Sequence, residues 1–177
     1  MLATSPEYWI SKLNLAAHPE GGYYKRTYQG EEKITDQELS VQFDGHRFLY
    51  TSIYFLLRSK EVSHFHRLKS DELWYYHAGS PLTIHVIHED GRYEEVKLGT
   101  NLDNNETLQY LVPKNSIFGS SVLEPDTFSL VGCMVSPGFD FQDFELFTQK
   151  ELLALYPEHH EVIRKLAYEE IPVAVTV

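Results

Sequence analysis

The stretch SHFHRLKSDELWYYHAG, residues 63–79, sets His64 and His66 two apart, follows them with Glu72 and closes on Gly79. Residues two apart on a strand share a face and lie about 6.6 Å apart along it, so two imidazoles spaced this way converge on one ion or one substrate. The chain carries nine histidines in 177 residues, and at that frequency a chance His-x-His has odds of about one in three. The spacing alone does not define a site, and the register around it has to decide.

The turn at LKSD, residues 68–71, sets that register. With Lys69 at the centre of an odd-membered turn, His66 faces Glu72 across a hairpin, His64 faces Trp74, and Tyr76 falls on the same side. Leu73, Tyr75 and His77 then point to the other face. A turn one residue longer or shorter sends Glu72 away from both histidines.

Outward from this stretch the chain reads as strand after strand. HRFLYTSIYFLL (46–57), PLTIHVIHE (81–89) and TFSLVGCMVS (127–136) are rich in β-branched and aromatic residues and are bounded by Gly, Pro, Asn or Asp. HEDGRY (88–93) predicts a two-residue type I′ hairpin on Asp90-Gly91. Helix is expected only near the termini. SPEYWISKLNL starts with Ser5 as cap and Pro6 at the first helical position, or with Thr4 as cap and Glu7 three residues on. Thr148 and Glu151 form a capping box, and Pro157 opens a second helical stretch. Many short strands between terminal helices indicate an all-β sandwich or barrel. One domain over 1–177 is expected, with the β core at about 22–147 and C-terminal helices at about 148–168.

Charge and composition exclude several classes. The net charge of −11, with no run of Lys or Arg, argues against a nucleic-acid partner, because phosphate binding needs clustered cations. The start MLATSPEYW lacks the pattern of a signal peptide, and no apolar run approaches the roughly 18 residues of a membrane span. The lone Cys133, in an apolar run, reads as a buried thiol without a disulfide. A reducing, cytoplasmic location is expected.

His64-x-His66, Glu72 and Gly79 resemble the first motif of the cupins, Gly-x5-His-x-His-x3 or 4-Glu-x6-Gly. Here the spacer before the glutamate is five residues, and Arg58 stands at the leading glycine. LVPKNSIFGSSV (111–122) is similar to the second motif at Pro113; Asn115 replaces a glycine and Phe118 replaces the histidine that supplies a fourth ligand. HPEGGYYKRTY (18–28), SIYFLL (52–57), HRLKSDELWYYHAG (66–79), SLVGCMVSPGFDFQDFEL (129–146) and LYPEH (155–159) together resemble the single-domain cupin family of bacteria and fungi often called the cupin five domain. That resemblance implies a jelly-roll β-sandwich or barrel, usually a homodimer, similar in fold to sugar-nucleotide epimerases and germin-like proteins. It implies no established reaction.

Three functional readings follow. His64, His66 and Glu72 on one face match a divalent-metal site with open positions, and Phe118, lacking a lone pair, removes the usual fourth ligand. Without a metal, His66 serves as base with Glu72 as its orienting partner and Tyr76 or Tyr54 as acid, the arrangement of an isomerase or epimerase acting beside a carbonyl; the resemblance supports that class. The third reading is a non-catalytic binder of a small polar metabolite such as a sugar derivative or nucleotide. His64, Trp74, Phe118 and Met134 are candidates to wall its pocket, and Arg26 and Arg67 to grip a carboxylate or phosphate. The same aromatic residues are equally ordinary core. An aromatic N-terminal strand, Tyr23–Tyr28, is expected to pair across a homodimer.

Overall fold

The alternation of apolar and polar residues in PLTIHVIHE already fixes two faces. In the structure, a computed structural model that describes residues 5–35, 37–39 and 42–172, Leu82, Ile84 and Val86 enter one buried cluster. Ile87 enters a second cluster on the opposite side. This is the period of two expected of a strand covered on both faces.

The strands are β1 (Ala16–Ala17), β2 (Tyr23–Gln29), β3 (Lys33–Ile34), β4 (Arg47–Phe48), β5 (Thr51–Arg58), β6 (Val62–Leu68) and β7 (Asp71–Gly79). After them come β8 (Leu82–Ile87), β9 (Tyr93–Leu98), β10 (Glu106–Thr107), β11 (Gln109–Val112), β12 (Ile117–Val122), β13 (Phe128–Ser136) and β14 (Phe144–Leu146). Helix α1 (Pro6–Leu13) precedes them, and α2 (Gln149–Leu155) and α3 (His160–Leu166) follow.

Two six-stranded sheets form, in the orders β1-β2-β5-β13-β7-β11 and β10-β9-β8-β12-β6-β14. They stay separate sheets, so the fold is a β-sandwich with short terminal helices, and no closed barrel is found among the described residues. Phe55, Trp74, Leu82, Ile84 and Phe118 fill the space between the layers. Helix α1 covers the outer face of the first sheet through Trp9 and Ile10, packed on Leu56, Phe128 and Leu130. The C-terminal helices cover the second sheet through Leu152, Ile163 and Leu166, packed on Phe65 and Ile117.

Local chemistry explains the element ends. Ser5 caps α1 by accepting from the Tyr8 N–H at 3.3 Å, with Pro6 in the first turn. Thr4 lies outside the described residues. The expected capping box at Thr148 and Glu151 forms with both hydrogen bonds. Asn115 adopts the left-handed conformation, φ 63°, that its place in the cupin motif requires.

Two turns differ from expectation. Between β8 and β9 the Gly91 N–H bonds to the His88 carbonyl, and the His88 N–H to the Arg92 carbonyl, each at 2.9 Å. Gly91 has φ 84° while Asp90 stays out of the positive region. The loop is therefore three residues with glycine in the left-handed position, not a two-residue type I′ turn. The LKSD turn makes no hairpin either: β6 and β7 lie in different sheets, so the chain crosses between layers there. Cross-strand pairing of His66 with Glu72 is replaced by two walls that face each other.

Candidate functional site

Between the layers lies a cavity of about 610 Å³, within the range of small-molecule sites. His66 from β6 and Glu72 from β7 both line it, at 2 % and 6 % exposure. Trp74, Phe55, Cys133 and Val135 add apolar surface. Tyr24, Phe139, Phe141 and Phe144 surround it with further aromatic rings.

His64 does not join them, and the cause is a β-bulge. On β12, Phe118 pairs with His66 and Ser120 with Ser63, so two steps on one strand match three on the other. The extra residue keeps Ser63 and His66 on the cavity side and turns His64 away. Its ring stacks on Tyr168 at 3.5 Å, with 9° between the planes. Both its backbone N–H and its Nδ1–H donate to the Glu20 carbonyl at 2.7 Å. The expectation that the two histidines converge is thereby corrected.

In place of His64 the fold delivers Glu20, 6 % exposed, on the loop joining β1 to β2. Gly21 and Gly22 make this approach sterically feasible. A Cβ on Gly21, φ 109°, would stand 2.2 Å from the Val62 carbonyl oxygen, and one on Gly22, φ 70°, would stand 2.8 Å from that of Leu56. The C-terminal segment pins the same loop, since the Tyr168 hydroxyl donates to the Pro19 carbonyl at 2.9 Å. Glu20 Oε1 accepts from the Ser63 hydroxyl at 2.7 Å. Its Oε2 lies 3.3 Å from His66 Nε2 and 3.4 Å from His18 Nδ1.

The hydrogen bonds constrain the protons. His66 Nδ1–H donates to the His64 carbonyl at 2.7 Å, so in the neutral ring Nε2 carries the lone pair. His18 Nδ1 accepts from the Glu20 backbone N–H at 3.3 Å and is bare as well. Glu20 Oε2 thus faces two lone pairs and is best satisfied when protonated. Burial pushes the Glu20 carboxyl upward, opposed by His18 and Ser63, and pushes His18 downward. Burial also lowers His66 to about 4. Across the cavity, burial first and the neighbouring Glu20 second raise Glu72 to about 8. The Cys133 thiol is pushed well above its ordinary value by burial and by Glu72, and stays protonated.

Other sequence candidates sit elsewhere. Phe118 is fully buried, and its ring packs on His66 with centroids 4.1 Å apart. Arg26 lines the cavity at an exposed position beside Lys25, and donates to Gln29 at 3.2 Å and to the Phe139 carbonyl at 3.5 Å. Arg67 pairs with Glu145 at 2.6 Å on the exposed side of β6 and does not line the cavity. Tyr54 packs with His77 and the α1 cluster on the outer face of the first sheet. Met134 alternates with Cys133 and Val135, which do line the cavity, and so points outward. Tyr76 packs against the core but lines no part of the cavity, its hydroxyl donating to the Gly79 carbonyl at 2.5 Å. Neither tyrosine is placed to act as the acid opposite His66.

The metal implied by the cupin motif fits this chain poorly. His64 is turned away, and Phe118, which has no lone pair to give, occupies the fourth ligand position. The buried cation of the cavity, Arg47, is also already engaged. Its Nε and Nη2 donate to Asp143 at 2.7 and 2.9 Å, and its Nη1 to the carbonyls of Asp44 and His46.

Sequence reasoning passes over His18 and Arg47. In Glu20-Gly21-Gly22 the paired glycines read as a tight bend or close backbone approach, serving either a ligand or a dimer, and the structure sets Glu20 in the cavity wall.

Solved structures of similar sequence share this architecture. A hypothetical protein from Leishmania major is 44% identical with a TM-score of 0.85, covering 93% of this chain and 99% of that one. A protein from Shewanella oneidensis is 49% identical with a TM-score of 0.86, covering 95% and 100%. An uncharacterized protein of Saccharomyces cerevisiae is 28% identical over 144 residues, 76% of this chain and 71% of its own. Oxalate decarboxylase of Bacillus subtilis, 17% identical with a TM-score of 0.54, aligns over 89% of this chain and 38% of its own, a likeness of fold alone. No helix among the described residues is long and apolar enough to cross a membrane. The family pattern described as Cupin superfamily (DUF985) matches residues 7–147, and the chain belongs to that family.

Proposed function

We propose that the cavity binds a small polar metabolite, a sugar derivative or nucleotide, and moves a proton on it without a metal, as an isomerase or epimerase does beside a carbonyl. One observation supports this above the others. Two buried proton carriers face the same cavity with opposite tendencies: His66, unprotonated down to about pH 4, and Glu72, protonated up to about pH 8. At neutral pH the first is ready to accept a proton and the second to donate one. His66 Nε2 is the base. Glu20 orients it and, when its O–H donates a hydrogen bond to His18 Nδ1, leaves the Nε2 lone pair free. Glu72 takes the acid role that the sequence assigned to a tyrosine. Arg26 supplies positive charge for a ligand phosphate or carboxylate.

A non-catalytic binder is the second reading, favoured by the aromatic wall of Tyr24, Phe139 and Phe141, which suits stacking on a ring. The test is incubation with a panel of sugar derivatives and sugar nucleotides in D2O. The enzyme reading expects deuterium at the carbon beside the carbonyl, abolished in His66→Ala. Saturable binding with no incorporation across the panel decides for the binder.

The reading includes a cytoplasmic homodimer. The short β1 covers only Tyr23 and Tyr24 of β2, so Lys25–Gln29 offer the edge at which a second copy pairs. A monomeric mass by light scattering at micromolar concentration counts against it.

A further inference from the structure

His64 stands where the cupin motif has a metal ligand, and here its donors serve the backbone instead. Its N–H and its Nδ1–H both donate to the Glu20 carbonyl at 2.7 Å, and its own carbonyl accepts from His66 Nδ1–H at 2.7 Å. The backbone of one residue thus lies between two polar side chains of the cavity wall. Tyr168, just beyond α3, holds the same place from outside: its ring stacks on His64 at 3.5 Å and its hydroxyl donates to the Pro19 carbonyl at 2.9 Å. Two successive carbonyls of the loop between β1 and β2 are therefore bound, one by Tyr168 and one by His64. The loop's internal bonds, His18 N–H to the Gly22 carbonyl and Gly21 N–H to the His18 carbonyl, each at 3.0 Å, set its shape. Gly21 and Gly22 bring no side chain to set its position against β6, which falls to the outside bonds. Tyr168 is itself anchored, since its carbonyl accepts from the Gln149 N–H at 2.7 Å at the start of α2. Burial first and Glu20 second push the ionisation of its hydroxyl upward, so it stays a donor.

We infer that Tyr168 and His64 are positioning residues, a clasp by which the segment after α3 sets Glu20 and His18 against His66 in the cavity. Neither residue of the clasp lines the cavity, so both act through the loop and through the His64 carbonyl. The leverage is geometric. Glu20 Oε2 lies 3.3 Å from His66 Nε2 and 3.4 Å from His18 Nδ1, near the outer limit of hydrogen-bond reach. A displacement of the loop by about 1 Å breaks both contacts. Withdrawal of the loop also admits water beside His66, which is 2 % exposed, and relieves the burial that lowers its affinity for a proton. The clasp deepens the proton-transfer reading by naming what regulates that site, and it rests on that reading only for its effect on turnover.

The test follows the His66 ring nitrogens by 15N NMR in the full chain through a pH titration, beside urea unfolding of each variant. Tyr168→Phe keeps the stack and loses the bond to Pro19, and Tyr168→Leu loses both. Leu152→Ala is the control, since it removes packing from the C-terminal helices without touching the clasp. The His66 midpoint, about 4 in the wild type, is expected to rise by about half a unit in Tyr168→Phe and by about one unit, tenfold in proton affinity, in Tyr168→Leu. His64→Ala should move it as far as Tyr168→Leu, and His64→Asn, whose amide reaches the place of Nδ1, should recover most of the change. Leu152→Ala should lower the urea midpoint and leave His66 where it is. A purely structural Tyr168 does the same as that control. His66 unmoved to about 0.2 unit in the folded Tyr168 variants, or moved equally by Leu152→Ala, overturns the clasp. Should Tyr168→Leu not fold, Tyr168→Phe decides alone by the same limit. Failure of the two readings is distinguishable. A moved His66 in the clasp variants with no deuterium incorporated across the substrate panel removes proton transfer and leaves the clasp, and incorporation by the wild type with an unmoved His66 in the variants does the reverse.

Discussion

Replacing Glu72 by glutamine separates the cost of this side chain from its use. In the fold the carboxyl holds its proton up to about pH 8, while in the unfolded chain it ionises near 4.5. Between those values the native state carries the extra proton, so wild-type stability falls as pH rises through the window. Each pH unit inside it is worth about 1.4 kcal/mol. From pH 5 to pH 7.5 the wild type should lose about 3 kcal/mol relative to Glu72→Gln, which keeps the shape and never ionises. Urea unfolding at half-unit pH steps, compared between the two proteins, reads this difference with the other titrating groups largely cancelled. A difference flat to about 0.5 kcal/mol over that range, or one that turns against glutamine as pH rises, refutes the placement of Glu72 as a neutral buried acid.

Three further outcomes are expected. His66, lowered to about 4 by burial, should show the 15N signature of a neutral ring with hydrogen on Nδ1 at pH 6, and a midpoint near 6.5 contradicts its environment. Because the unfolded ring takes its proton first on acidification, His66 should withdraw about 3 kcal/mol of stability as pH falls from 6.5 to 4, read as the extra acid sensitivity of wild type over His66→Phe in urea melts. Gly21→Ala should destabilise by more than 1 kcal/mol and displace Glu20, visible as a changed His66 spectrum, because the new methyl meets the Val62 carbonyl at positive φ; an unchanged melting curve excludes that crowding. Arg47→Met should cost about 3 kcal/mol by leaving the buried Asp143 with only Lys69 at 3.6 Å, and the double change with Asp143→Leu should recover most of it in a double-mutant cycle.

Strand order of residue types made the β architecture legible, since PLTIHVIHE and TFSLVGCMVS show both periodicity and punctuation. Thr148 with Glu151 was legible for the same local reason. What stayed hidden depends on contacts distant in sequence. The bulge that turns His64 outward is a property of two strands, β6 and β12, and only their joint register reveals it. Assigning LKSD to a hairpin rested on a short loop, but the interior on both sides of it was better filled by sending β6 and β7 to different layers. That change still brought His66 and Glu72 to one cavity, for a reason other than the one the spacing suggested. Glu20-Gly21-Gly22 was legible as a bend but not as a wall of the cavity, because the loop's place against β6 depends on contacts distant in sequence.

The acid and the base ride on opposing layers, Glu72 on one and His66 on the other. Their separation is thus a gauge of how thick the filling between those layers is, and no single strand dictates it. Trimming or enlarging a spacer such as Phe118, which fills the interlayer space without lining the cavity, adjusts the span between the two groups. Evolution or a designer could retune which guest fits by altering bulk that never touches it.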